Sequence, residues 1–125
     1  LREQMVGDRV HVLGVRTDIA ELLSACDLFG LASDWEGYPM AVMEAMAAGL
    51  PVLSSNQAGA AEVIDSGKNG FVAPLSEWVE STASRLKNSA LLQETGSAAR
   101  QTALKHDWSK VVAAVEQVYK EVAAE

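Results

Sequence analysis

Residues 28–55 read LFGLASDWEGYPMAVMEAMAAGLPVLSS, and this stretch decides the fold. It opens with a continuous apolar run over residues 28–33, and a second short apolar run follows over residues 51–55. Between the two runs, strong helix formers begin at Pro39 and end at Gly49. Two apolar runs joined by a helix predict a βαβ unit, in which both strands lie parallel in one sheet covered by helices.

The flanking segments extend this alternation in both directions. An alternating β-rich run predicts a strand over residues 9–13, and apolar residues at helical spacing predict a short helix over residues 18–26. Downstream we predict a helix over 58–64, a strand over 70–74, and helices from 76 onward with breaks near Asn88 and at residues 106–108. The predicted fold class is therefore α/β: a Rossmann-like parallel sheet of about four strands with flanking helices and a helical C-terminus.

The strand count is low for a doubly wound domain, whose sheet normally has five or six strands. We therefore predict that residues 1–125 form a single partial domain. A sheet cut short in this way exposes an edge strand, and unpaired edges favour self-association, so we also expect a dimer through that edge.

Composition excludes several classes of function. The 10 basic and 17 acidic residues give a net charge of −7, which repels phosphate backbones and argues against nucleic-acid binding. No apolar run approaches the roughly 20 residues that a membrane span needs. The single cysteine, Cys26, cannot form an internal disulfide and is expected to be a small buried thiol. We predict a cytoplasmic protein.

A ligand site is expected beyond the carboxyl ends of the parallel strands. Three loops are predicted to meet there: residues 14–16, 34–38 and 56–59. The middle loop runs directly into the helix that begins at Pro39. The N–H groups at a helix N-terminus carry about half a positive charge and suit a phosphate or diphosphate, which makes Met40 and Ala41 the expected donors. Pro39 has no N–H, but its ring presets the helical φ.

Two carboxylates flank this helix start. Glu44 interrupts an otherwise apolar helix roughly 7.5 Å from its phosphate-facing end, an offset that suits a nucleotide ribose, whose hydroxyls a carboxylate can accept. The spacing is equally consistent with Glu44 on the exposed edge of the helix. Glu36 lies in the turn before the helix, where it is placed to contact a sugar or to stabilise charge; a solvated loop acid is the alternative.

The segment EGYPMAVMEAMAAGLPV, residues 36–52, resembles the E-x7-E signature of retaining GT-B glycosyltransferases of the group 1 or family 4 class. Residues 8–14, 23–29, 59–64 and 67–72 resemble other segments of that family, so the resemblance covers essentially the whole chain. It implies that this chain is the C-terminal part of a donor-binding domain.

The resemblance also assigns roles to individual residues. It implies that Glu36 is the catalytic residue beside the transferred sugar and that Glu44 binds the ribose. The amides of Gly37, Tyr38, Met40 and Ala41 would contact the sugar and the diphosphate around Pro39, and Val15 and Arg16 would lie near the base. A surface cation is an equally good interpretation of Arg16.

The implied reaction is transfer of a sugar from a nucleotide-sugar donor to an acceptor, with retention of configuration and without a metal or cofactor. The acceptor would bind to an N-terminal domain missing from this chain, and the family's Gly-rich turn and its Arg and Lys pair would precede Leu1. The resemblance further implies peripheral membrane association of the full-length enzyme. We therefore expect little or no transferase activity from the isolated chain.

Two other functions compete with this prediction. One is a non-catalytic nucleotide-binding or interaction module. The other is a sugar-nucleotide epimerase of similar shape, which the dense E-x7-E match disfavours. A metal site is not predicted, because His11 and His106 are far apart in sequence and have no Cys or Asp partners at ligand spacing.

Overall fold

The computed structural model describes residues 9–55 and 58–124, without the side chains of Ala58 and Ala61. Strands and helices alternate through the first part of the chain, and helices alone follow. In chain order the elements are α1 (Ile19–Ser24), β1 (Phe29–Leu31), α2 (Met40–Ala47), β2 (Val52–Ser54), α3 (Ala58–Ala61), β3 (Phe71–Val72), α4 (Trp78–Leu86), α5 (Ser89–Ala103) and α6 (Trp108–Val122).

The three strands form one parallel sheet in the order β1-β2-β3. Phe29 pairs with Val52, and Leu53 pairs with Phe71. Because each connection between parallel strands contains a helix, the predicted Rossmann-like α/β class is confirmed. The carboxyl ends of β1 and β2 lie at the same edge of this sheet, where the chain turns into α2 and α3.

The core lies between the central strand β2 and the helices α2 and α5. Val42, Ala45 and Met46 of α2 are fully buried, and so is Val52 of β2. The helix α2 ends where predicted, because Gly49 adopts the left-handed conformation, with φ of +82°, that glycine allows at a helix end. This packing fixes α2, and with it the start of the helix, against the sheet.

The two predicted breaks in the helical C-terminal part are confirmed. The Asn88 side chain accepts a hydrogen bond from the Leu91 amide at 3.1 Å and begins α5. The Asp107 carboxylate accepts one from the Ser109 amide at 2.9 Å and begins α6. Both side chains are acceptors that satisfy first-turn amides, which is why a helix starts at each.

The prediction of a fourth strand over residues 9–13 is wrong for the structure described. Residues 10–14 form neither helix nor strand, and Val12 is 93% exposed. A strand forms only through hydrogen bonds to a neighbour, and this segment makes no backbone hydrogen bond to a described residue. Within residues 9–55 and 58–124 the sheet therefore has three strands.

Two smaller expectations also fail. Cys26, two residues beyond α1, is exposed instead of buried, and α1 itself buries none of its residues. The strand β1 is an edge strand and is only half-buried, although its apolar sequence predicts burial on both faces.

Helix α6 forms as predicted, but its apolar residues are exposed, from Val111 to Val122. In the part of the chain described, no helix is both long enough and apolar enough to cross a membrane.

Candidate functional site

Two serine hydroxyl groups connect the loop that carries Glu36 to the ends of two strands through hydrogen bonds. Ser55, just after β2, donates from Oγ to the carbonyl oxygen of Ser33 at 2.6 Å. Ser33, just after β1, donates from its own Oγ to Oε1 of Glu36 at 2.6 Å. The Glu36 carboxylate is half-buried and is thereby linked to the carboxyl edge of the sheet.

A close backbone contact holds the same loop from the other side. A Cβ atom at Gly59 would lie 2.3 Å from the carbonyl oxygen of Gly37 and 2.6 Å from that of Glu36. Only glycine fits at that distance, so α3 lies directly against the loop. Two of the three loops predicted to meet do so here, residues 34–38 and the loop 56–59, of which residues 56 and 57 lie outside the described part of the chain.

At the N-terminus of α2, one amide has no acceptor among the described residues. The carbonyl oxygen of buried Pro39 accepts from the Val42 and Met43 amides at 3.0 and 3.2 Å. The Met40 amide donates to the carbonyl oxygen of Tyr38 at 2.9 Å, so it is already engaged. The Ala41 amide donates to no residue in the described ranges. Of the two donors expected for a phosphate group, Ala41 is the one that the fold leaves available.

Glu44 lies three residues beyond Ala41 on α2, and its side chain is exposed. The structure therefore favours the alternative in which Glu44 stands on the outer edge of the helix. That edge faces a groove of about 560 Å³, a volume in the range of small-molecule sites. The groove is lined by Ile19, Ala20, Leu23, Ser24, Glu44, Ala47, Ala48 and Arg100. Ala41 and Glu44 also share an adjoining depression against Leu22 and Phe29.

Arg16 and Val15 lie at the start of α1. The Arg16 guanidinium forms an ion pair with Asp18 and donates from Nε to its carboxylate at 2.7 Å. This hydrogen bond lowers the pKa of Asp18 and raises the pKa of Arg16. Asp18 directly precedes Ile19, which lines the groove, whereas Val15 is fully exposed. Val15 and Arg16, the two residues predicted to lie near the base, are thus exposed, and they come just before α1, which lines one side of the groove.

Tyr38 contacts a residue near the C-terminal helices, which the sequence does not predict to lie close to this loop. Its hydroxyl oxygen lies 3.4 Å from Nδ1 of His106, 68 positions later. Together with Met40, Met43, Trp108 and Val111, these two residues line a largely apolar cavity of about 340 Å³. No spacing or motif in the sequence links positions 38 and 106.

Sequence reasoning also missed Ser33 and Ser55. A signal for them exists, because each serine closes an apolar strand at the edge where parallel sheets bind ligands. In the described residues no three His, Cys, Asp or Glu side chains cluster as metal ligands would. Independence from metals stays a prediction.

Comparison with known proteins points to one family. The model for the glycosyl transferases of group 1 matches residues 1–102. N-acetyl-alpha-D-glucosaminyl L-malate synthase from Bacillus anthracis is 31% identical over 121 residues, which make up 94% of this chain and 32% of that protein. The chain thus spans about a third of the length of that relative.

Solved structures give the same result. The crystal structure of HepE from Anabaena in complex with UDP and glucose matches with a TM-score of 0.81 at 29% identity, over 94% of this chain and 33% of that one. Sucrose-phosphate synthase from Thermosynechococcus elongatus matches with a TM-score of 0.89 at 23% identity, over 95% of this chain and 31% of that one, which shows the fold alone.

Proposed function

This chain belongs to the group 1 glycosyl transferase family, and on that premise we propose that it supplies part of the donor site of an enzyme that transfers a sugar from a nucleotide sugar. The observation that carries the proposal is the grouping around the start of α2. Three groups follow one another along a single turn and helix: the half-buried carboxylate of Glu36, the Ala41 amide, which has no acceptor among the described residues, and the exposed carboxylate of Glu44.

The diphosphate is proposed to bind at the helix start. The Ala41 amide points out of the first turn without a protein acceptor in the described residues, and the helix dipole favours an anion there. Gly37 and Tyr38 are proposed to add backbone contacts to the sugar and the diphosphate. The complex of Anabaena HepE with UDP and glucose supports a nucleoside diphosphate as the ligand class.

The ribose is proposed to bind at Glu44. Its carboxylate is exposed, faces the groove beside α1, and lies one helical turn beyond Ala41. That offset, about 4.5 Å along the helix axis, is proposed to correspond to the step from the diphosphate to the ribose hydroxyl groups. Val15 and Arg16, next to the first residue of α1 that lines the groove, are proposed to lie near the base.

Glu36 is proposed to act on the transferred sugar. A fixed carboxylate beside the sugar stabilises positive charge that develops as the bond to the departing diphosphate breaks, while the helix start stabilises the negative charge on that diphosphate. We propose retention of configuration and no requirement for a metal or cofactor, as expected from the resemblance.

Further properties of the whole protein belong to the same proposal. The acceptor is proposed to bind to a separate N-terminal domain, and the isolated chain is proposed to have little or no activity. Cytoplasmic location, peripheral membrane association and a dimer through the edge of the sheet remain predictions. A non-catalytic nucleotide-binding module is the alternative, and it predicts nucleotide binding without sugar transfer.

Ligand-observed NMR tests the proposal on the purified protein with UDP, GDP, ADP and their common sugar conjugates. We expect saturation transfer to the ribose protons of one nucleotide and its loss in Glu44→Ala. The matched control is Glu80→Ala, which removes an exposed carboxylate from α4, outside the groove. Ribose signals that persist in Glu44→Ala would contradict the ribose assignment, and absence of transfer from every nucleotide would contradict the proposed function.

A further inference from the structure

Glu36 is held by two successive hydrogen bonds that begin at Ser55, just after β2. The Ser55 hydroxyl donates to the Ser33 carbonyl oxygen, and the Ser33 hydroxyl donates to Oε1 of Glu36, both at 2.6 Å. We propose that Ser33 and Ser55 are positioning residues, which orient the Glu36 carboxylate toward the donor sugar. This inference rests on the proposed role of Glu36.

The first argument is that the two serines differ in burial. Ser55 is only 3% exposed, and its amide also donates to the Leu31 carbonyl oxygen at 3.0 Å, so it is fixed to β1. Ser33 and Glu36 are half-buried and lie further out. The two hydrogen bonds thus connect the buried end of β2 to a carboxylate on a loop. Asp34 and Trp35, the residues of that loop between Ser33 and Glu36, are exposed.

The second argument concerns the two oxygen atoms of the carboxylate. Ser33 engages Oε1, and Oε2 has no hydrogen-bond partner in the described residues. A carboxylate accepts at both oxygens, so one can be held by the protein while the other meets a ligand. A hydrogen bond to a charged acceptor is among the stronger ones and fixes the plane of the group.

A purely structural role for Ser33 makes a different prediction. If the hydroxyl only closes the turn, its loss disturbs the loop whether or not a carboxylate is present at position 36. If it acts through Glu36, its loss has no effect once that carboxylate is gone. A double-mutant cycle separates the two cases, because residues that act through one contact give non-additive effects.

The cycle is made in the full-length enzyme that contains this chain, and it compares wild type, Ser33→Ala, Glu36→Ala and the double variant by the steady-state turnover of UDP-glucose, GDP-mannose and ADP-glucose. We expect Ser33→Ala to lower kcat by about tenfold with little change in KM, as the loss of a hydrogen bond to a charged group predicts. In the Glu36→Ala background the same change should leave kcat unaltered. Ser33→Thr, which keeps a hydroxyl, should restore most of the activity, and Ser84→Ala on α4 is the control.

An equal fall of kcat in both backgrounds would overturn the positioning role. So would a crystal structure of Ser33→Ala in which the Glu36 carboxylate keeps its place, and this result does not depend on turnover. Failure of the full-length wild-type enzyme to turn over or bind any of the three donors would instead contradict the proposed function. Unfolding midpoints of all variants close to that of wild type would show that the fold is intact.

Discussion

Gly59 approaches Gly37 so closely that a Cβ atom in its place would stand 2.3 Å from the Gly37 carbonyl oxygen. Contact of this kind joins the start of α3 to the loop that carries Glu36. Because the obstacle is backbone and not a flexible side chain, a larger residue at position 59 can be accommodated only if the loop moves. The position of Glu36 is therefore set by a glycine 23 residues further along the chain.

We expect Gly59→Ala to lower turnover by at least tenfold, because a shift of about 1 Å in a reacting group can reduce the rate a hundredfold. The measurement is kcat of the full-length enzyme for the donor identified by NMR. Glu62→Ala is the matched control, since this exposed residue directly follows α3 and forms no side-chain hydrogen bond or ion pair with a described residue. Wild-type turnover in Gly59→Ala would show that the loop tolerates the displacement.

A larger residue at position 96 is expected to lower the stability of the fold, because Gly96 also lies close to another part of the backbone. A Cβ atom there would stand 2.2 Å from the carbonyl oxygen of Gly49. Alanine favours a helix over glycine by about 1 kcal/mol, but the overpacked contact between α5 and the end of α2 opposes this gain by more. We expect Gly96→Ala to lower the free energy of unfolding by about 1–3 kcal/mol in a urea titration.

The control for this prediction is Ser97→Ala, which changes an exposed position on the same helix. Its effect should be within about 0.5 kcal/mol, as for other surface substitutions. If Gly96→Ala were as stable as Ser97→Ala, the helices would have to separate without penalty, and the close contact would not contribute to the packing.

The cap of α6 predicts a dependence on pH. Hydrogen bonds from the Ser109 hydroxyl and amide lower the pKa of Asp107 below its usual value. A lowered pKa means that the charged cap stabilises the helix above the usual aspartate pKa, and that this contribution is lost as the pH falls through the lowered value. We expect faster hydrogen exchange of the Ser109 amide, relative to the intrinsic rate, below about pH 4.

Asp107→Asn provides the comparison for that experiment. The amide oxygen of asparagine still accepts from Ser109 but does not titrate, so protection of the Ser109 amide should no longer change over this range of pH. The same pH profile in both proteins would assign the change to another carboxylate.

How much of the fold the sequence predicts depends on whether the signal is local. Pro39 and Gly49 bound α2 within one residue of the prediction, and Asn88 and Asp107 begin helices as expected, because each acts on its own neighbouring backbone. Residues 9–13 have the alternation of a strand but not a partner in the described chain. Pairing is a property of two segments, and the pattern of one cannot establish it.

The residues of the candidate site also differ in whether the sequence predicts their positions. Glu36, Ala41 and Glu44 lie on one turn and helix, so their order and spacing are readable from sequence. The residues that hold Glu36 in place are not, because Ser55 and Gly59 come from the next loop along the sheet. Tyr38 and His106 are 68 positions apart, and neither composition nor periodicity predicts their contact.

The two carboxylates should separate in function, and this is the sharpest test of the proposed site. Glu36→Gln keeps the size of the side chain and an acceptor for the Ser33 hydroxyl, but it removes the charge beside the sugar. We expect kcat to fall by about a hundredfold, the scale of losing one electrostatic contact in a transition state, while the affinity for the free nucleotide stays unchanged. Glu44→Gln should do the reverse, weakening the nucleotide through its ribose contact with a smaller effect on kcat. Calorimetry with the nucleotide and steady-state kinetics on the same preparations of the full-length enzyme measure both quantities. Parallel losses of affinity in both variants would mean that Glu36 binds the nucleotide instead of acting on the sugar, because a group that contributes only in the transition state leaves ground-state binding intact.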